Sequence, residues 1–152
     1  MILYAESSAI LAWLLGENGS AESRDTLAGA ELIFTSDLTL IECDRVIIRA
    51  TTLGLLTEAV AADRRAMLRQ LAEHWIVFHI DEEIVERARH PFPKEPVRSL
   101  DAIHLATAIA ARAAVPGVAL LSLDERIRSA ARELGFITLP GTGAQDPTGT
   151  LP

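Results

Sequence analysis

Short apolar runs alternate along this chain with longer stretches of helical periodicity. Ile2 to Ala5 is an apolar run fit for a buried strand. Ser7 and Ser8 follow it, and Ala9-Ile-Leu-Ala-Trp-Leu-Leu15 closing on Gly16 reads as a capped helix with a glycine stop. Gly19 and Ser20 open a short helical segment that ends near Gly29, and Glu31 to Phe34 reads as a second strand. Thr35-Ser36-Asp37 offers an N-cap to a helix that carries Leu38, Ile41, Val46 and Ile48 on to about Leu53 and Gly54. Thr57 to Glu73 makes a long, arginine-studded helix with Leu56, Val60, Met67, Leu68 and Leu71 on its inner face. Trp75 to Ile80 is a third strand, and Asp81 caps a short helix to about Arg89. A proline-rich loop, His90 to Pro96, then leads to a helix from Ser99, with Ser99 as its expected N-cap. Val118 to Leu121 is a fourth strand, Asp124 to Leu134 a helix stopped by Gly135, and Phe136 to Leu139 a short last strand.

Strands separated by helices at every step imply right-handed crossovers and a sheet covered on both faces. The expected fold class is α/β, a three-layer α/β/α sandwich around a central, mainly parallel sheet. A length of 152 residues with 49% hydrophobic residues suits one core, so residues 1–140 are expected as a single domain. Residues 141–152 turn to Gly, Thr, Pro and Gln, which build no core, and are expected as a mobile tail. The low aromatic content, 5%, agrees with aliphatic strands packed between helices.

Candidate chemistry starts in the segment from residue 99 to residue 111. There the only polar residues after Ser99 are Asp101, His104 and Thr107, spaced three apart on one stripe of an otherwise core-facing helix. Asp101 falls in the first turn, where free N–H groups favour negative charge in any helix. Its company is what matters. Glu6 follows the first strand directly, Asp124 lies just past the fourth with Ser122 two residues before it, and Glu42 stands among apolar residues about a turn inside the third helix. Parallel sheets gather ligands at the carboxyl ends of their strands, where these acids fall.

Each acid also has a plain structural reading: Glu6 as a turn acid, Asp124 as an N-cap, Glu42 as the partner of Arg45 or Arg49 at helical spacing. Read together, carboxylates converging without matching buried cations either take up protons or hold a divalent metal. Oxygen ligands favour Mg²⁺ or Mn²⁺ over zinc, and the chemistry such ions support is phosphodiester hydrolysis. No G-x-x-x-x-G-K-[ST] loop, G-x-G-x-x-G turn, G-x-S-x-G elbow or H-E-x-x-H helix is present, which removes the usual signatures of competing chemistries. His104 is expected as a satisfied structural histidine, the alternative being a hydrogen bond near Asp101, and Cys43 as a small core residue.

Charge and compartment narrow the picture further. A net charge of −7 excludes blanket electrostatic binding of nucleic acid, so any such binding must be local. Arg45, Arg49, Arg64, Arg65 and Arg69 form either a basic patch or a salt-bridged solvent face. A lone cysteine excludes an internal disulfide and points to a reducing compartment. The start Met-Ile-Leu-Tyr-Ala-Glu carries no basic region, and no long uncharged apolar run follows, so a cytoplasmic protein without membrane contact is expected.

Tyr4-Ala-Glu-Ser-Ser-Ala9, Ser36-Asp-Leu-Thr-Leu-Ile-Glu42, Leu100-Asp-Ala-Ile-His-Leu-Ala-Thr-Ala108 and Leu121-Ser-Leu-Asp124, in that order, resemble the PIN domain. The resemblance is to the VapC toxins of bacterial type II toxin-antitoxin systems and runs from residue 2 to about residue 139. It implies a Mg²⁺- or Mn²⁺-dependent endoribonuclease acting on RNA, usually a homodimer, held in a hetero-oligomer by a VapB-like antitoxin. By position it implies Glu6, Glu42, Asp101 and Asp124 as catalytic and metal-holding acids, with Ser8 and Ser122 in support. The family typically has Asp where this chain has Glu6. One extra methylene is expected to weaken Mg²⁺ binding or shift preference toward Mn²⁺. The alternative expectation is a PIN-like module of little or no activity that binds an antitoxin-like partner or RNA without cleaving it.

Overall fold

The computed structural model describes residues 1–141; residues 142–152, most of the expected tail, lie outside the described residues. Five strands form one all-parallel sheet in the order β3-β2-β1-β4-β5. They are β1 (Ile2–Ala5), β2 (Leu32–Ser36), β3 (Ile76–Phe78), β4 (Ala119–Leu121) and β5 (Thr138–Leu139). The helices are α1 (Ser7–Leu15), α2 (Ser20–Ala28), α3 (Asp37–Thr52), α4 (Glu58–Ala72), α5 (Glu82–Arg89), α6 (Ser99–Ala114) and α7 (Glu125–Glu133).

Strand pleating sends alternate residues to opposite faces, and that divides the core in two. Leu3, Ala5, Ile33, Ala119 and Leu121 pack with residues of α1 to α4, among them Ile10, Leu27, Cys43 and Leu68. Tyr4, Phe34 and Leu120 pack with α6 and α7 through Leu105, Ala108, Ile127 and Ala131, and Ala88 of α5 joins them. The three-layer α/β/α sandwich with a parallel sheet is therefore the observed architecture. Strands β1 and β4 are buried on both faces, as their uninterrupted apolar sequence requires.

Several boundaries differ from the sequence reading. β2 runs on to Ser36 because Thr35 and Ser36 are fully buried and hydrogen-bonded, Thr35 to the Ala5 carbonyl. β3 is shorter than the apolar run around it, pairing only through Ile76, Val77 and Phe78. α6 takes Arg98 rather than Ser99 as its N-cap, with no side-chain cap bond, and Ser99 is its first helical residue. Ser36, Thr57, Asp81 and Asp124 cap α3, α4, α5 and α7 by accepting a backbone N–H within the first turn. α1 ends at Gly16 with φ 70°, a left-handed conformation that favours glycine.

Candidate active site

The carboxyl ends of β1 and β4 adjoin in the middle of the sheet, and the segments that leave them build the site. Glu6 follows Ala5 and donates its N–H to the Leu121 carbonyl at 2.9 Å, which locks the end of β1 to the end of β4. Its carboxylate is buried, 3% exposed, and is held by hydroxyls. Oε1 accepts from Ser7 at 2.6 Å; Oε2 accepts from Ser122 at 2.7 Å and from Ser8. Those serines are fixed in turn, since Ser8 Oγ accepts the Leu123 N–H at 2.8 Å and Ser122 Oγ the Asp124 N–H at 3.1 Å. A buried carboxylate without a close cation needs such donors, because burial alone strongly disfavours its charge.

Glu42 comes from the helical layer on one face of the sheet and His104 from the layer on the other, and they meet above the strand ends. His104 Nε2 lies 2.6 Å from Glu42 Oε2 and 3.8 Å from Glu6 Oε1. A carboxylate can only accept, so Nε2 carries a proton. In the neutral ring, Nδ1 then accepts the Tyr4 hydroxyl, 3.0 Å away. Tyr4 and His104 are both buried, at 0% and 1% exposure. Burial raises the Tyr4 hydroxyl well above its ordinary value, so it remains a neutral donor. His104 is thus a satisfied buried histidine, bonded to Tyr4 and Glu42 rather than to Asp101, and Glu42 pairs with histidine rather than with Arg45 or Arg49. Burial works to raise the Glu42 carboxyl, but the hydrogen bond and charge of His104, with Ser7, prevail and hold it below the usual range.

Asp101 and Asp124 stand at the N-termini of α6 and α7 and face the same cavity, about 380 Å³ in volume, together with Glu6, Glu42, Ser8, Arg98 and Arg126. Asp124 is the N-cap of α7 and binds the Arg126 N–H and guanidinium, both at 2.8 Å. Burial opposes its ionisation, yet these bonds hold its carboxyl below the usual range. Asp101 is raised, first by burial and then by the negative charge of Asp124, with Glu6 adding to it; Arg126 and His104 offset part of the effect. The cavity therefore carries negative charge that its own cations do not balance.

All four acids named from the sequence line this one cavity. Ser8 lines it as well, while Ser122 stands behind Glu6 and Asp124. Tyr4, Ser7, His104 and Arg126 complete the surroundings and were not assigned site roles from sequence. His104 carried a usable signal, a polar residue on the same stripe as Asp101; Tyr4 in an apolar strand carried none. Cys43 lies fully buried below the site, its thiol raised by burial and then by Glu6 and Glu42, in keeping with a core residue. Of the arginines on α3 and α4, Arg65 pairs with Asp44 at 2.8 Å and Arg64 with Asp63 at 3.3 Å.

The donor set suits a hard divalent cation. Glu6 and Glu42 each offer a carboxylate oxygen, within 4.8 Å of one another, and Asp101 and Asp124 add oxygen donors across the same cavity, while the protonated His104 Nε2 between them holds Glu42 in place. Unbalanced charge on Asp101 is what such a cation would neutralise. Among the described residues no helix is long and apolar enough to cross a membrane.

Residues 3–133 match the PIN domain family. Ribonuclease VapC35 of Mycobacterium tuberculosis is 33% identical over 143 residues, spanning 92% of this chain and 98% of that protein. Ribonuclease VapC46 of the same organism is 32% identical over 137 residues, spanning 90% and 95%. Among solved structures, M. tuberculosis VapC20, described as a sarcin-ricin loop cleaving toxin, has a TM-score of 0.62 at 17% identity, covering 90% of this chain and 97% of that one. VapBC2 from Rickettsia felis, solved with a DNA fragment from its promoter, has a TM-score of 0.61 at 12% identity, covering 91% and 97%. At those identities the structural likeness speaks for the fold alone.

Proposed function

The chain belongs to the PIN domain family, in its VapC branch, and from that premise we propose that it is the endoribonuclease toxin of a type II toxin-antitoxin system, hydrolysing RNA phosphodiester bonds. The observation that carries this reading is the convergence of Glu6, Glu42, Asp101 and Asp124, from four separate segments, on one cavity at the carboxyl ends of β1 and β4. Relatives named as ribonucleases support the activity, and their near full-length alignment supports the same unit of function.

In this reading the four acids hold Mg²⁺ or Mn²⁺, which supplies charge stabilisation to the phosphate and lowers the pKa of the attacking water. Glu6 is oriented by Ser7, Ser8 and Ser122. His104 orients Glu42, and Tyr4 orients His104. Arg126 anchors Asp124, and Arg98 at the rim gives the substrate phosphate a cation to meet. A net charge of −7 restricts RNA binding to this local patch and makes a basic segment of a VapB-like antitoxin a complementary partner. The proposed assembly is a homodimer within a toxin-antitoxin hetero-oligomer, in the cytoplasm.

A second reading is favoured by one observation: both oxygens of Glu6 are already occupied by serine hydroxyls. A site so satisfied would bind RNA or an antitoxin without cutting. The deciding experiment incubates the antitoxin-free protein with total RNA and Mg²⁺ or Mn²⁺, with Asp101→Asn as control, and measures Mn²⁺ affinity by calorimetry. Discrete metal-dependent products that vanish in the variant establish the nuclease. Absence of products with either metal, from a protein that still binds RNA, establishes the binding module.

A further inference from the structure

Beside the acidic cavity lies a second one of about 330 Å³, and the two share Asp101 and Arg126 in their walls. It opens between the N-terminal halves of α6 and α7, under the loop that leads from α5. Its floor is apolar, made by Leu105 and Ala130, which are buried, and its wall by Pro96 and Val97. The wall is preformed. The Glu95 carboxylate accepts the Phe92 N–H at 2.9 Å and the Val97 N–H at 2.6 Å, closing the loop on itself. Phe92 is buried beneath it, with the Arg87 guanidinium 4.3 Å from its ring centre. Lys94 Nζ ties the loop to α7 by donating to Ser129 Oγ at 2.6 Å.

On the reading that the acidic cavity cleaves RNA, we infer that this neighbouring cavity is a nucleobase subsite, which takes the base of a nucleotide flanking the scissile phosphate and prefers guanine or uracil. Continuity through Asp101 and Arg126 puts it within one nucleotide of the reacting centre. A preformed apolar slot with few polar groups at its rim is the usual form of a site for a planar ring. Polarity at the rim selects the base. Both oxygens of Glu95 are occupied by backbone donors, and those of Glu125 by Arg132 and Arg128. Lys94, the chain's only lysine, keeps two ammonium protons beyond the one given to Ser129, and the Ser129 hydroxyl keeps its own. Apart from the Asp101 carboxylate on the wall shared with the acidic cavity, which the proposed function assigns to the metal, the free groups are donors, and they match a base edge that presents carbonyl oxygen, as guanine O6 and uracil O4 do.

The test uses the full chain and the four nucleoside 5′-monophosphates in an amide-resolved NMR titration. GMP and UMP are expected to shift the amides of Val97, Ser129 and Ala130 and to bind roughly fivefold to tenfold more tightly than AMP and CMP. Lys94→Met is expected to erase that preference while leaving the melting temperature unchanged, and Ser129→Phe to abolish the shifts by filling the slot. Equal binding of all four nucleotides, a preference that survives Lys94→Met, or no shift at these amides each overturns the inference. Cleavage of a randomised RNA library, run beside it, judges the nuclease reading separately. A library left uncut while GMP and UMP still bind removes the nuclease and leaves the subsite standing. A library cut without base preference at either flanking position removes the subsite and leaves the nuclease.

Discussion

Replacing His104 with leucine tests whether the hydrogen bond across the top of the sheet organises the site. The substitution keeps the buried volume nearly constant and removes two bonds, from Nε2 to Glu42 at 2.6 Å and from Tyr4 to Nδ1 at 3.0 Å. A hydrogen bond to a charged group contributes about 1.5–3 kcal/mol, but the Glu42 side chain is 25% exposed and water takes over part of that, leaving roughly 1–2 kcal/mol. The Tyr4 hydroxyl has no water to turn to and falls back on Ser36 Oγ at 3.4 Å. That loss costs about 1 kcal/mol. The total of roughly 2–3 kcal/mol corresponds to a fall in melting temperature of about 4–12 °C for a chain of this size. Without His104 the burial that opposes ionisation of Glu42 is no longer outweighed, so its carboxyl must titrate at higher pH in the metal-free protein. His104→Gln places an amide donor where Nε2 was and should restore the Glu42 titration and about half of the stability. Calorimetric melting and carbon-detected NMR titration of Glu42 measure both quantities. A fall of less than about 2 °C with the Glu42 titration unmoved in His104→Leu would refute the positioning role.

Asp101→Asn removes the carboxyl that burial, Asp124 and Glu6 all raise, so the metal-free protein should be unchanged or more stable by no more than about 1 kcal/mol, while Mn²⁺ affinity and RNA cleavage are lost. In the wild type, metal affinity should fall as pH drops through that raised value, which a pH series of calorimetric titrations reads directly. Glu6→Ala strands the hydroxyls of Ser7, Ser8 and Ser122 and leaves a hole at the joint of β1 and β4, an expected loss of about 2–5 kcal/mol in denaturant unfolding. Glu6→Asp should raise Mg²⁺ affinity if the extra methylene handicaps the site; an unchanged dissociation constant disproves that. Asp124 has a depressed carboxyl, so its stabilising contribution is present above the ordinary aspartate value near ~3.9 and is lost as pH falls through the folded value. Asp124→Asn keeps a good N-cap, and its unfolding free energy should therefore decline less on acidification than that of the wild type.

Most of the fold was legible because each element carries its own local signal. The apolar run Ile2 to Ala5, the cap at Ser36, the cap at Asp81 and the glycine after Leu15 each depend on neighbours a few residues away, and the structure places elements where they fall. Boundaries slipped where the deciding partner is distant. β2 runs on to Ser36 because Thr35 finds the Ala5 carbonyl on the adjacent strand, and β3 stops at Phe78 where its pairing with β2 ends. The N-cap of α6 is Arg98, one residue before Ser99, because a capping serine is a preference that the backbone need not follow.

The sequence by itself determined the alternation of strand and helix, the parallel sheet that follows from it, and the acids at positions 6, 42, 101 and 124. These are properties of local pattern and of residue identity in order along the chain. Tertiary structure alone decided which groups meet. It brought His104 from one helical layer onto Glu42 from the other, buried Glu6 against the Ser122 hydroxyl 116 residues away in sequence, and set the loop before α6 as the wall of a second cavity. The physical reason is that a carboxylate's role depends on its burial, its donors and the charges within a few ångströms. Packing of the two cores against the sheet sets all three, and no run of neighbouring residues encodes them.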